Sequence, residues 1–152
     1  MNRTAYLVDG FNLYHSLVDA QRDNRGVTTK WLDLASLCKR FLPLVGKAHG
    51  TKATLEGIYY YSAPPIHRSP AEQDRHALYM KCLTGTGVHL SLGQFKRKKE
   101  KETDVALAAK LFEICHTGRA ESVVLLTGDT DQAPAVRACT PRTEPVISRE
   151  SA

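Results

Sequence analysis

With 152 residues, 42% of them apolar and 24% charged, the chain is sized for one globular domain and has no room for a second core. Lys and Arg outnumber Asp and Glu by 21 to 16, giving a net charge of +5 and a pI near 9.1, a balance that favours a polyanionic partner such as nucleic acid. Cys38, Cys82, Cys115 and Cys139 stand singly, no leader precedes Met1-Asn2-Arg3-Thr4 and no eighteen-residue apolar run occurs, so a disulfide framework, a structural zinc and a membrane span are excluded and a reducing, cytoplasmic setting is expected.

Thr4 to Val8 is a short apolar run that ends in Asp9-Gly10, the pattern of a strand covered on both faces and stopped by a turn. From Phe11 to about Ala20 the residues Phe11, Leu13, Tyr14, Leu17 and Val18 recur at helical spacing, and a polar loop, Gln21 to Gly26, follows. Trp31, Leu34, Ala35, Cys38, Phe41 and Leu42 mark one face of a second helix, with Pro43 and Gly46 as its stop. Thr54 to Ser62, with Leu55, Ile58 and Tyr59-Tyr60-Tyr61, predicts a strand; the tyrosines are expected to pack rather than to stack on bases. Ser69-Pro70-Ala71-Glu72 carries a capping box and a first-position proline, and opens a helix to about Leu83.

Gly85 and Gly87 break the chain before a strand at Val88 to Leu92; this Gly-Thr-Gly lacks the features of a dinucleotide loop or a P-loop. The densest charge run follows, Phe95 to Glu102, with five basic residues between Lys96 and Lys101. Thr103 is placed to cap a helix beginning Asp104-Val105-Ala106-Leu107, which Gly118 ends. Val123-Val124-Leu125-Leu126 then runs straight into Thr127-Gly128-Asp129-Thr130-Asp131, a second strand ending in glycine and acid. A helix starts at Ala133-Pro134, and Thr140-Pro141 curtails it. Residues 141–152 read as an irregular, mobile tail, leaving the sheet edge they should cover exposed or used for homodimerisation. Strands and helices alternate, which predicts a mostly parallel sheet in one domain over residues 1–140.

Asp9, Asp129 and Asp131 follow strands and Asp104 opens a helix, so all four can meet at the carboxyl rim of the sheet, where open α/β folds bind ligands. Any one of these acids alone is better read as a helix cap or turn former. Several carboxylates at one place repel and raise one another's pKa unless a cation joins them, and hard oxygen donors suit Mg²⁺ or Mn²⁺. Such a centre activates water and holds the leaving oxygen of a phosphodiester. Asp129-x-Asp131 is a weaker match to an aspartate-nucleophile phosphatase, since Gln132-Ala133 departs from that pattern. The six histidines show no metal spacing, and no Ser or Cys lies in a nucleophile motif.

Leu7-Val8-Asp9-Gly10-Phe11-Asn12-Leu13-Tyr14, Lys101-Glu102-Thr103-Asp104-Val105-Ala106-Leu107 and Val124 to Asp131 together resemble the NYN domain, a branch of the PIN-like ribonuclease superfamily, in the family's order. The resemblance implies a three-layer α/β/α sandwich, here without the last strand and helix, and Mg²⁺- or Mn²⁺-dependent cleavage of RNA. It places Asp9, Asp104 and Asp129 at metal-binding positions, with Asp131 a supporting member of the catalytic set. Asn12 falls at the amide of the first motif and Thr127 beside the metal and water. Lys96, Arg97, Lys98, Lys99 and Lys101 would draw in the RNA backbone. Relatives carry a further acid near the place taken by Lys110, so the acidic cluster would be thinner here. The rival reading from another class is an RNA-binding or protein-interaction module that kept the fold and lost turnover.

Overall fold

The structure is a computed structural model and describes residues 1–96 and 99–140. In chain order the elements are β1 (Asn2–Asp9), α1 (Gly10–Asp23), α2 (Leu34–Ala48), β2 (Ala53–Ser62), α3 (Pro70–Gly85), β3 (His89–Leu92), β4 (Gln94–Lys96), β5 (Lys99–Lys101), α4 (Thr103–Thr117), β6 (Ser122–Leu126) and α5 (Ala133–Cys139), with a single 3₁₀ turn at Thr130–Gln132 before the last helix. Four strands pair side by side in the order β3-β2-β1-β6, all parallel. β4 and β5 pair antiparallel with each other as a small separate hairpin.

β1 is central and apolar on both faces because its side chains alternate between two cores. Tyr6 and Val8 point to one side, with Ile58 and Tyr60 of β2, and pack under α1, α2 and α3 through Leu13, Leu34, Ala35, Cys38, Met80 and Leu83. Ala5 and Leu7 point to the other, with Tyr59 and Tyr61, and meet Leu107, Leu111 and Ile114 of α4 and Ala135 and Val136 of α5. The parallel sheet is the one that the alternation of strands and helices predicted, and helices on both its faces make the three-layer sandwich that the resemblance implied. All three tyrosines of the triplet are buried, as their alternation in a doubly covered strand requires.

Local signals account for most helix starts. Asp9 caps α1 by accepting from the Asn12 N–H, Asp33 caps α2 through Ser36, and the Ser69–Glu72 capping box opens α3 as expected. Three expectations are corrected. Pro43 and Gly46 lie inside α2 rather than ending it: the proline falls on the exposed face, where the carbonyl it leaves unbonded reaches water, and a Cβ on Gly46 would stand 2.7 Å from the Thr51 carbonyl, so glycine is there for close packing. Trp31 precedes the helix, and it and Phe41 are half-exposed rather than part of the buried face; Phe11 and Tyr14 of α1 are likewise half-exposed. Thr103 does not cap α4: Glu102 is the cap residue, in the left-handed conformation at φ 80°, with no side-chain capping bond to the helix, and the buried Thr103 hydroxyl finds no partner among the described residues.

Among the described strands, β6 and β3 stand at the two edges of the sheet. The expectations about the tail at 141–152, with its mobility and the dimer edge it would leave, lie outside the described residues, as do Arg97 and Lys98.

Gly10, at the junction of β1 and α1, carries the closest packing in the fold: a Cβ there would come within 2.4 Å of the Tyr60 ring. Gly10→Ala is expected to cost about 1–3 kcal/mol in chemical denaturation, as over-packing does. Gly85→Ala, at a helix end with open space around it, is expected to be neutral or stabilising.

Candidate active site

The exits of β1 and β6 lie side by side, since Val8 pairs with Leu126. The residues that follow each strand, Asp9 and Thr127 to Asp131, are therefore neighbours although more than a hundred positions apart. Thr127 joins them. Its hydroxyl donates to Asp9 Oδ2 at 3.0 Å and accepts from the Asp129 N–H at 3.0 Å. Asp9 is buried and also accepts from the Asn12 N–H at 3.1 Å and from the Asn12 amide. Gly128 packs tightly on that amide: a Cβ there would lie 3.1 Å from Asn12 Oδ1, so the amide would have to give by a few tenths of an ångström. Asp129 Oδ1 accepts from the Asp131 N–H at 2.8 Å and so shapes the turn into the 3₁₀ segment.

α4 brings the fourth acid. Asp104 sits in its first turn, and its carboxyl is raised above the usual carboxylate range, by partial burial first and then by the negative charges of Asp9, Asp129 and Asp131. A hydrogen bond from Gln132 works in the opposite direction. Three acids from other positions in the chain thus act on Asp104. Asp9 and Asp129 also serve as caps, so their structural and electrostatic roles coincide.

Gln132 was not singled out by sequence reasoning. It is buried, and its contact with Asp104 ties the α4 start to the turn after β6. A polar residue immediately after an acidic turn, at the head of a helix, was the available signal. Lys110 is not a member of the cluster: its ammonium bonds Glu113 at 2.9 Å and lies 4.6 Å from the centre of the Tyr59 ring. Lys96, Lys99 and Lys101 belong to the β4–β5 hairpin, which enters α4 directly, and Arg97 and Lys98 lie outside the described residues. Among the described residues no three acid, His or Cys side chains stand close enough together to grip an ion directly in this conformation.

A family model for the NYN domain matches residues 3–147. The chain belongs to the NYN family. This PIN-like family has a nuclease-type fold, and the parallel sheet flanked by helices agrees with it. Among curated proteins the chain is similar to 6-hydroxy-3-succinoylpyridine 3-monooxygenase HspA of Pseudomonas putida (strain DSM 28022 / S16), 28% identical over 176 aligned positions that cover 89% of this chain and 54% of the relative. The chain thus spans about half the length of that relative. No solved structure matches it. No helix among the described residues is long and apolar enough to cross a membrane.

Two outcomes are expected from this geometry. Thr127→Val keeps the shape but leaves the Asp129 N–H and an Asp9 lone pair unpaired, at roughly 1–3 kcal/mol of stability, while Thr127→Ser retains both bonds and most of the stability; urea denaturation compares them. For Asp104 the folded-state pKa is raised, so the native chain holds more protons than the unfolded one between the ordinary carboxylate value and the raised one. Stability then falls as pH rises through that window, and the repulsion acts in full at neutral pH. In EDTA, Asp104→Asn is expected to melt higher than the parent at neutral pH, and the gain should vanish below the ordinary carboxylate pKa.

Proposed function

We propose that the chain is a divalent-metal-dependent ribonuclease that hydrolyses RNA phosphodiester bonds. The observation that carries the proposal is the gathering of Asp9, Asp129 and Asp131 at the carboxyl rim of a nuclease-type fold, near enough to Asp104 for their charges to help raise its carboxyl. Clustering uncompensated carboxylates is costly, and a cation bound there would relieve the cost. The donor set fits Mg²⁺ or Mn²⁺, which keep several waters and need only one or two direct carboxylates, so acids spaced too widely to grip an ion suit a hydrated one. Asp9, Asp104 and Asp129 would hold it, and it would supply a polarised phosphate and an activated water. Asp131 adds negative field and shapes the turn through its N–H. Thr127 and Asn12 fix the Asp9 carboxylate, and Gln132 positions Asp104.

The basic run supplies the substrate's counter-charge. Lys96, Arg97, Lys98, Lys99 and Lys101 precede Asp104 by three to eight residues, and in this reading they would hold the RNA backbone while the acids act on a phosphodiester further along it. Replacing Lys96, Arg97, Lys98 and Lys99 with Ser is expected to weaken binding of all RNA sequences alike and to flatten the dependence of log K on log salt, read by anisotropy at several salt concentrations.

A second reading, a binding module of the same fold without turnover, draws on two observations. Asp9 already accepts three hydrogen bonds, and the acids do not converge on one point. Labelled single-stranded RNA with Mn²⁺ or EDTA separates the two. With Mn²⁺ the parent should cleave, and Asp104→Asn should lose on the order of 10²- to 10⁴-fold in rate, as removal of one positioned catalytic group does, while still binding RNA. Mn²⁺ should raise the melting temperature of the parent but not of the variant. Binding without cleavage by the parent would make the module the better account. The relative's name concerns a different chemistry in a protein nearly twice as long; offering 6-hydroxy-3-succinoylpyridine with dioxygen and a reductant to the same preparation checks it directly.

A further inference from the structure

A cavity of about 220 Å³ opens on the α1–α3 side of the sheet; it reaches the end of β1 at Gly10, and none of the four acids lines it. Gly10, the residue after Asp9, and Tyr60 contribute to its inner wall. Phe11 and Tyr14 of α1, Trp31 from the loop before α2, and Tyr79 of α3 complete an aromatic lining. Tyr79 is held in place by its hydroxyl, which donates to the Leu32 carbonyl at 3.1 Å, and it meets Trp31 edge to face at 6.0 Å. Phe11, Tyr14 and Trp31 are 48%, 45% and 50% exposed. One exposed aromatic is ordinary, but three around a single concavity mark a binding surface.

Size and charge narrow the occupant. A cavity of about 150 Å³ accepts a benzene ring, so this one takes a single heteroaromatic ring system. Lys30, Arg68 and Arg75 stand around it against one acid, Glu72, which is engaged in capping Ser69 and lies 3.9 Å from Arg68. A planar ring attached to an anion is therefore the complementary chemistry, and a nucleotide has that form. The position favours a nucleotide within a strand over a free aromatic acid: the cavity begins one residue beyond Asp9, and only a ligand with further phosphates would reach both places.

We propose that this cavity seats one unpaired base of a single-stranded RNA, with its phosphate on Lys30, Arg68 and Arg75 and the adjoining phosphodiester directed to the Asp9 rim. The inference rests on the ribonuclease reading and adds to it a single-strand requirement. It assigns to Phe11, Tyr14 and Trp31 a role that their helix-like spacing in the sequence concealed.

Trp31 is the only tryptophan of the chain, so its fluorescence reports the cavity without a label. The full chain in EDTA, where no cleavage occurs, is titrated with AMP, a short oligoadenylate, an abasic strand of equal length, a blunt RNA duplex and 4-hydroxybenzoate. A saturable change in Trp31 emission is expected with AMP and the oligoadenylate, with the oligoadenylate bound at least about tenfold tighter than the abasic strand or the duplex. Tyr14→Ala should weaken the oligoadenylate about tenfold and leave duplex binding and melting temperature unchanged, while Tyr14→Phe should bind as the parent does. Equal affinity for the abasic strand, a silent Trp31, or a response to 4-hydroxybenzoate without one to AMP would overturn the inference. A parent that cleaves RNA with Mn²⁺ while Trp31 stays silent leaves the ribonuclease reading standing and sinks this one. A Trp31 response with no cleavage sinks the ribonuclease reading and with it the delivery of the phosphodiester to the Asp9 rim, while the seat for an unpaired base stands.

Discussion

Burial of β1 on both faces is the constraint from which the remaining architecture follows. A strand whose successive residues Ala5, Tyr6, Leu7 and Val8 are all shut off from water needs a partner strand on each side and a helical layer on each face. β2 and β6 fill the first need, α1 to α3 and α4 with α5 the second. The strand has to end in a residue that turns the chain out of the sheet, and Asp9 does so by capping α1. The same carboxylate, buried at the sheet rim, needs donors of its own, and these come from Asn12 and Thr127.

Thr127 converts the parallel pairing of β1 and β6 into a site. One hydroxyl donates to the acid at the end of one strand and accepts from the backbone of the acid after the other, so the separation of Asp9 and Asp129 is fixed by two hydrogen bonds rather than by loop packing. Asp104 arrives on a different element and meets Gln132, and its carboxyl is raised by partial burial and then by the neighbouring acids. Two acids joined through Thr127 and a third whose carboxyl they help to raise make an arrangement that a cation would complete. On the opposite face of the same strand ends, the aromatic and basic lining around Gly10 gives the rim two chemically distinct sides.

Stability and chemistry share residues to an unusual degree. Asp9 and Asp129 are helix or turn caps as well as acids of the cluster, and Gly10 is small because the Tyr60 ring occupies the space a Cβ would take. Elsewhere the fold is held by ordinary means. At the amino end of the sheet Arg3 clamps Glu121 with paired contacts near 2.6 Å, holding that carboxyl down to about 2, but the pair is solvent-exposed and screened. Cys115 and Cys139, scattered in the sequence, meet between α4 and α5, where burial and then the Cys115 contact push the Cys139 thiol up to about 11.

The amino-acid sequence by itself determined the alternation of strands and helices, the double burial of β1 and the Tyr59–Tyr61 strand, the α3 capping box and the placement of Asp9, Asp104 and Asp129 at element ends, because each of these is written in local periodicity and cap chemistry. Only the tertiary structure decided what depends on which surfaces meet. Pro43 stays within α2 because its face is solvent, a fact that propensity does not carry. Phe11, Tyr14 and Trp31 recur at core spacing yet line an opening, since apolar periodicity marks a face without saying whether another element covers it. Thr103 looks like a cap, but the chain enters α4 from a hairpin through a left-handed Glu102, which turns its hydroxyl away from that use. Gln132 offered only a weak local signal, a polar residue after an acidic turn. Its function is a contact with Asp104 across 28 positions of sequence, and contacts of that range exist only once the sheet has brought β6 beside β1.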